Sequence, residues 1–109
     1  MTINKINKVK FLLSECESTL IAMGDSTRLS IIQLMLELDR DCNGICVADI
    51  TKNSNLSRPA ISHHLKILKN SGVVTVREKG TKNYYYLASN KKSLKNLEEL
   101  IKIIMSLVK

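Results

Sequence analysis

The chain of 109 residues has little of several residue types that mark particular functional classes. It has no Trp, one Phe and three Tyr, too few aromatic side chains for the base-stacking platform of RNA-binding domains. Its three Cys are irregularly spaced and odd in number, which is unlike a secreted disulfide framework and predicts reduced thiols in the cytoplasm. No run of about 18 apolar residues is present, and the first residues lack a secretion signal, so we expect neither a membrane span nor export.

A Gly-rich phosphate loop, a carboxylate pair and a nucleophile motif are also missing, so the sequence predicts a protein that is not an enzyme. Positive charge is in excess, because 17 Lys and Arg face 10 Asp and Glu and leave a net charge of +7. This excess favours a polyanionic partner such as nucleic acid, although a lysine-rich surface could also serve solubility alone. The length suits one domain with a modest core, to which a partner subunit would add buried surface.

Hydrophobic periodicity and turn residues predict a mainly α protein with a small β-hairpin, in the order α-α-α-α-β-β-α. Helices are expected at about residues 4–23, from Asp25 or Ser26 to about 38, and at about 47–53, 57–70 and 91–108. Strands at 73–77 and 84–87 are joined by an expected loop over 78–83. The first helix places Ile6, Val9, Leu13, Cys16 and Leu20 on one face, and the second carries Leu29, Ile32, Leu34, Met35 and Leu38, a set too apolar for an exposed helix.

A short helix, a tight polar turn, a helix capped by Ser57 and Gly72, and a basic hairpin are the parts of a winged helix-turn-helix. We expect the helix-turn-helix at about 47–70 and the wing at about 73–88. On the fourth helix, Ile61, Leu65 and Leu68 cluster on one side, and no Asp or Glu occurs from Leu56 to Thr75. The candidates for reading base edges are Ser57, Arg58, Ser62, His63 and Lys66, and Arg58, near the helix start, suits a bidentate contact to guanine. The alternative is a solvated amphipathic helix that happens to be basic.

A second set of side chains is expected to position the protein on phosphates: Arg28, His64, Arg77, Lys79 and Lys82.

Alternation along the second strand sends Tyr85 to the opposite face from Tyr84 and Tyr86, so the three rings belong to the hairpin and core. His63 and His64 point about 100° apart on a helix and cannot share a metal ion. We therefore assign no metal site to them.

The last helix predicts a homodimer. Its apolar residues cover about half of its circumference, wider than the stripe that a surface helix needs. Together with the first helix it offers a self-complementary patch, so we expect dimerisation through residues 4–23 and 91–108 and a near-palindromic duplex DNA site. A deeply buried helix in a monomer is the alternative. The residues concerned are Leu94, Leu97, Leu100, Ile101, Ile103, Ile104, Leu107 and Val108.

Three stretches resemble the ArsR/SmtB family of small repressors: residues 24–31 (GDSTRLSI), 45–50 (ICVADI), and 56–68 (LSRPAISHHLKIL) followed by 71–74 (SGVV). The resemblance covers nearly the whole chain. It implies a winged helix-turn-helix repressor that leaves its operator when an inducer binds.

The sensing sites known in that family are incomplete here. Cys46 matches the first position of the Cys-x-Cys pair of thiophilic-metal sensors, but Ala48 replaces the second. The last helix has no Asp or His for a zinc site and no Cys for a persulfide sensor. Our hypothesis is that Cys42 and Cys46 respond to oxidation, or bind a soft metal with Cys16 of the partner subunit. The alternative is that Cys16 is a small core residue and the other two are incidental thiols, with no cofactor required.

A rival class of function is a winged-helix protein-interaction module whose basic face meets an acidic partner. Such a protein would bind all duplexes weakly and without a preferred site.

Overall fold

The computed structural model describes residues 2–87 and 91–108, apart from the side chain of Thr2. Residue 88, the expected end of the wing, lies outside these ranges. The elements are α1 (Thr2–Met23), α2 (Ser26–Leu38), α3 (Val47–Lys52), α4 (Arg58–Asn70), β1 (Val74–Lys79), β2 (Lys82–Leu87) and α5 (Lys92–Leu107). The predicted order of elements and the mainly α architecture with one hairpin are confirmed. Within the described ranges, no helix is long and apolar enough to cross a membrane.

Local capping chemistry sets the limits of α2 and α4. The Asp25 carboxylate accepts hydrogen bonds from the backbone N–H groups of Thr27 and Arg28, at 2.8 and 3.2 Å, and begins α2. Ser57 caps α4 by accepting from the N–H of Ala60 at 3.3 Å. Gly72, with φ of 83°, ends α4 in a Schellman arrangement, because the N–H of Val73 donates to the Leu68 carbonyl.

The hairpin is longer, and its loop shorter, than the sequence suggested. β1 and β2 pair antiparallel from Val74 opposite Leu87 to Lys79 opposite Lys82, which leaves Gly80 and Thr81 as the loop. The expected loop over 78–83 is therefore wrong. Gly80, with φ of 63°, supplies the positive φ that a two-residue hairpin turn needs at its first position, so polar residues on both sides remain in the ladder.

A third segment extends the hairpin on the β2 side. Ile45 and Tyr85 exchange backbone hydrogen bonds of 3.0 and 2.9 Å. Gly44, with φ of 82°, lies beneath the Tyr86 ring so closely that an added Cβ would stand 2.6 Å from Tyr86 Cζ. The Tyr86 hydroxyl donates to the Asn43 carbonyl at 2.9 Å, which fixes the connection between α2 and α3 to the wing.

The main core lies where α2, α3, α4 and the start of the wing meet. Ile50 of α3 and Ile61, Leu65 and Leu68 of α4 are fully buried there. Ile31 and Met35 of α2 are buried with them. Of the five apolar residues expected to make α2 a buried helix, Met35 is buried and Ile32 and Leu34 pack against the core, whereas Leu29 and Leu38 are 47% and 39% exposed. Leu29 lies on the side of α2 opposite the buried Ile31, whereas Leu38 is the last residue of the helix.

α1 and α5 pack against each other in opposite directions beside the main core. Lys8 of α1 pairs with Glu99 of α5 at 3.5 Å, and Lys5 reaches Ser106 at 3.5 Å. Leu12, Cys16 and Leu100 form a second buried cluster between the two helices. The stripe expected on α1 is thus shifted: Leu12, Cys16 and Thr19 are buried, whereas Ile6, Leu13 and Leu20 are exposed.

Candidate nucleic-acid interface

α4 presents its polar face to solvent as predicted. Arg58, Ser62, His63 and Lys66 are exposed, while Ile61, Leu65 and Leu68 face inward. Ser57 is exposed as well, but its hydroxyl already serves the helix as the N-cap. These five side chains therefore lie between the N-cap of α4 and Lys66, on one continuous stretch of the chain. Their contact with base edges remains a prediction.

The wing places its cations on one face. Arg77 and Lys79 of β1 share that face with Tyr84 and Tyr86 of β2. The Arg77 guanidinium lies 5.0 Å from the centre of the Tyr86 ring, and Lys79 Nζ lies 5.2 Å from that of Tyr84. These cation–π contacts hold both charges over the rings instead of at the loop. Glu78, the acid of the hairpin, points to the other face.

A cleft of about 280 Å³ joins the wing to the start of α4. Arg58 from α4, Cys46 from the start of α3 and Lys82 from β2 all line it. A hydrogen bond with the Cys46 sulfur, together with the charge of that sulfur when ionised, raises the pKa of Tyr84. The structure thus brings a base-reading candidate, a wing candidate and a thiol to one place.

The three thiols do not share a site. Cys42, with φ of 56°, lines a different cavity with Arg77 and Tyr86. Cys16 is 1% exposed and lies between Leu12 and Leu100. Burial raises its pKa, and the nearby charge of Glu15 raises it further. Across residues 2–87 and 91–108, no three His, Cys, Asp or Glu side chains are grouped closely enough to hold a metal ion.

Arg28 faces the protein interior, unlike the other predicted phosphate contacts. Its side chain is 11% exposed. Its Nε donates to the Ala22 carbonyl at 2.7 Å and its Nη2 to that of Ile21 at 3.3 Å, both in the last turn of α1. Its Nη1 lies 3.3 Å from His64 Nδ1 on α4. The sequence predicted that Arg28 contacts a DNA phosphate. No local pattern indicated that α1, α2 and α4 meet at this side chain.

Two polar residues that sequence reasoning missed tie α4 to both long helices. The Ser71 carbonyl, at the end of α4, accepts from Thr19 Oγ1 of α1 at 3.1 Å and from Ser93 Oγ of α5 at 3.0 Å. Thr19 is 2% exposed. Thr19 lies at helical spacing between Cys16 and Ala22, and this was the available signal, since a buried hydroxyl needs a partner.

The sequence is similar to those of known transcriptional regulators. Residues 25–76 match the family described as bacterial regulatory protein, arsR family. An uncharacterised HTH-type transcriptional regulator of Methanocaldococcus jannaschii is 40% identical over 84 residues, which cover 76% of the chain and 83% of that protein. The arsenical resistance operon repressor of Staphylococcus aureus is 34% identical over 73 residues, which cover 67% of the chain and 65% of that repressor.

The fold has a solved counterpart in the homodimeric winged helix-turn-helix DNA-binding domain of a possible ArsR-family transcriptional regulator from Mycobacterium bovis. It superimposes with a TM-score of 0.65 over 90% of the chain and 86% of that domain. The identity between the two is 22%, so the likeness is one of fold.

Proposed function

Because the chain belongs to the ArsR family of bacterial regulatory proteins, we propose that it is a repressor that binds a specific duplex DNA site as a homodimer. An inducer would release it from that site. A regulator of this kind works where the chromosome is, so we place it in the cytoplasm. Its relatives are transcriptional regulators, and we assign it no enzymatic activity.

The observation that carries this proposal is the exposed face of α4. Arg58, Ser62, His63 and Lys66 lie along it, and no Asp or Glu occurs from Leu56 to Thr75. An ordinary solvated face mixes both signs of charge, whereas a face that approaches phosphates must not. The major groove admits one helix, and α4 presents short polar and cationic side chains to it. The helix-turn-helix at 47–70 and the wing at 73–88 would form the DNA-binding unit.

The dimer would form through the exposed apolar side chains of α1 and α5. They include Leu13 and Leu20 on α1, at 45% and 40% exposed, and Ile101 and Ile104 on α5, at 50% and 37%. The α1–α5 pair buries a small cluster of its own, separate from the main core. A second copy would cover this apolar surface and bring two α4 helices to one duplex.

The inducer acts, in our proposal, through Cys46 and Cys42 and not through Cys16. Cys46 lies beside Arg58 and Lys82, so oxidation or a soft metal there would disturb the surface that meets DNA. Cys42 is exposed on the neighbouring cavity, whereas Cys16 is enclosed between α1 and α5. Relatives named for arsenical resistance make a soft metal a reasonable candidate.

The test is a fluorescence anisotropy titration with the DNA upstream of this protein's own gene. Reduced, metal-free protein should bind it more tightly than a scrambled duplex of the same length. Arg58→Ala should weaken that preference, and Arg40→Ala, which removes an exposed charge between α2 and α3, should leave it unchanged. Equal, weak affinity for every duplex would instead support the protein-interaction module and overturn the repressor.

The thiol hypothesis has its own arm in the same assay. Protein treated with a small-molecule disulfide should lose affinity, because thiol–disulfide exchange would transfer one half of the reagent to Cys46 and release the other half as a free thiol. Cys46→Ser should remove that response. Equal binding by reduced and oxidised protein would discard oxidation as the signal and direct the search to metals and small ligands.

A further inference from the structure

Arg28 of α2 links the end of α1 to His64 of α4. The guanidinium is fixed by the carbonyls of Ala22 and Ile21 at the end of α1 and lies 3.7 Å from Asp25 Oδ2. Its Nη1 also lies 3.3 Å from His64 Nδ1. His64 is half-buried at the edge of the exposed α4 face, next to His63, whose ring centre is 5.5 Å away in an edge-on arrangement.

The chemistry of the pair fixes the state of the imidazole. A guanidinium has donors and no acceptor and does not lose its proton in proteins, so the nitrogen that faces it must be the acceptor. Nδ1 of His64 is therefore unprotonated in this contact, and the ring proton of the neutral imidazole resides on Nε2. Among the described residues, none accepts a hydrogen bond from Nε2, which points away from Arg28.

We infer that Arg28 is a positioning residue that holds His64 as the neutral Nε2–H tautomer, so that His64 donates a hydrogen bond to a DNA phosphate. This inference rests on the proposed function. Both residues were expected to contact phosphate. In this inference His64 contacts the DNA, and Arg28 acts only by orienting His64. The contact adds orientation without adding charge, because a neutral donor releases no counterion from the duplex.

The tautomer can be measured without DNA. Long-range ¹H–¹⁵N correlation spectra of the wild type at about pH 8 should show an unprotonated Nδ1 and a protonated Nε2 for His64. Arg28→Met should remove that preference, while His63, which makes no contact with Arg28, serves as the internal reference. A His64 protonated at Nδ1 in the wild type would overturn the inference even if the protein binds DNA as proposed.

Three substitutions at His64 separate a DNA contact from a merely structural link. Gln places an amide N–H near the position of Nε2, Asn places its amide near Nδ1, and Leu supplies neither. We expect His64→Gln to keep the affinity for the specific duplex, and His64→Asn and His64→Leu to lose about tenfold. If Asn retains the affinity and Gln loses it, His64 only links α4 to Arg28, and the inference is wrong.

Two further readouts complete the test on DNA. The slope of log affinity against log salt should be unchanged in His64→Leu, whereas Lys82→Ala, which removes an expected phosphate contact of the wing, should lower it by about 1. Arg28→Met should weaken binding in the wild type but add nothing in His64→Leu, since the two side chains act as one unit. Additive losses would overturn the positioning role. Absence of any site preference in the wild type would defeat the repressor proposal and leave the NMR result standing.

Discussion

At the scale of single residues, Arg58 is the side chain on which base reading depends most. It is exposed at the first position of α4 and lines the cleft that it shares with Lys82 of the wing. Arg58→Ala should cost about 1–3 kcal/mol on the specific duplex and relax the preference at one base pair. Anisotropy titrations against duplexes substituted at each position would measure both effects. A uniform loss over all duplexes would make Arg58 a phosphate contact instead.

Asp25 gives a pH dependence whose sign is fixed by its contacts. The backbone N–H of Arg28, then that of Thr27 and the Arg28 charge, lower the pKa of Asp25 against the opposing effect of desolvation. The carboxylate therefore stabilises the fold above its unfolded pKa of about 3.9, and that contribution disappears as pH falls through the lower folded pKa. We expect Asp25→Ala to melt at a lower temperature than the wild type at neutral pH, with the difference shrinking below about pH 4.

The matched control for Asp25 is Asn, which retains the capping oxygen but does not titrate. The melting temperature of Asp25→Asn should lie between those of the wild type and Asp25→Ala at neutral pH. A gap between wild type and Asp25→Ala that stays constant down to about pH 2 would show that the charge of Asp25 adds nothing.

Residues whose partners are near in sequence were predictable, and those whose partners are distant were not. Asp25, Ser57 and Gly72 act on backbone within three or four positions, so composition and spacing indicated them. Arg28 contacts His64 across 36 positions and Thr19 contacts Ser71 across 52, which no local pattern encodes. The amphipathic α4 was predicted because its inner face packs on this chain's own core. The buried face of α1 was not, because α1 carries apolar residues on two sides.

At the scale of elements, the wing depends on the absence of a side chain at Gly44. A methyl group there would meet the Tyr86 ring at 2.6 Å and Tyr84 Cβ at 2.9 Å, at a φ of 82°. Gly44→Ala should cost about 2–3 kcal/mol of unfolding free energy, measured by urea denaturation. Gly80→Ala is the control, because its φ of 63° is also positive but nothing lies within 4 Å of its added Cβ. That variant should lose only about 1 kcal/mol.

Equal losses in the two glycine variants would show that contact with Tyr86 and Tyr84 contributes nothing beyond backbone conformation. The hairpin illustrates the limit of sequence reasoning at this scale. The strand residues were indicated by β-branched and aromatic side chains, but polar Glu78, Lys79, Lys82 and Asn83 were assigned to the loop. These four residues pair in the strand ladder although they are polar, because both faces of the hairpin are exposed there and their side chains can alternate between them.

At the scale of the whole molecule, the exposed apolar surface of α1 and α5 predicts the oligomeric state. Leu13→Glu and Ile104→Glu should each convert the dimer to monomer in sedimentation equilibrium, because a carboxylate would be buried without a partner. Leu38→Glu on α2 is the control, at 39% exposed on an element outside the proposed interface. The monomeric variants should lose most of their affinity for the palindromic duplex while keeping the helical content of the wild type. A wild type that sediments as a monomer would overturn the dimer.

The Ser71 carbonyl, held by Thr19 of α1 and Ser93 of α5, has a consequence for the whole dimer. One atom at the end of each α4 is anchored to both long helices, so the distance and angle between two α4 helices would follow from how the long helices cross. Such a dimer would select the spacing of the two half-sites as well as their base sequence. It should reject an operator lengthened by one central base pair, since this rotates the half-sites by about 35° although every contacted base is unchanged.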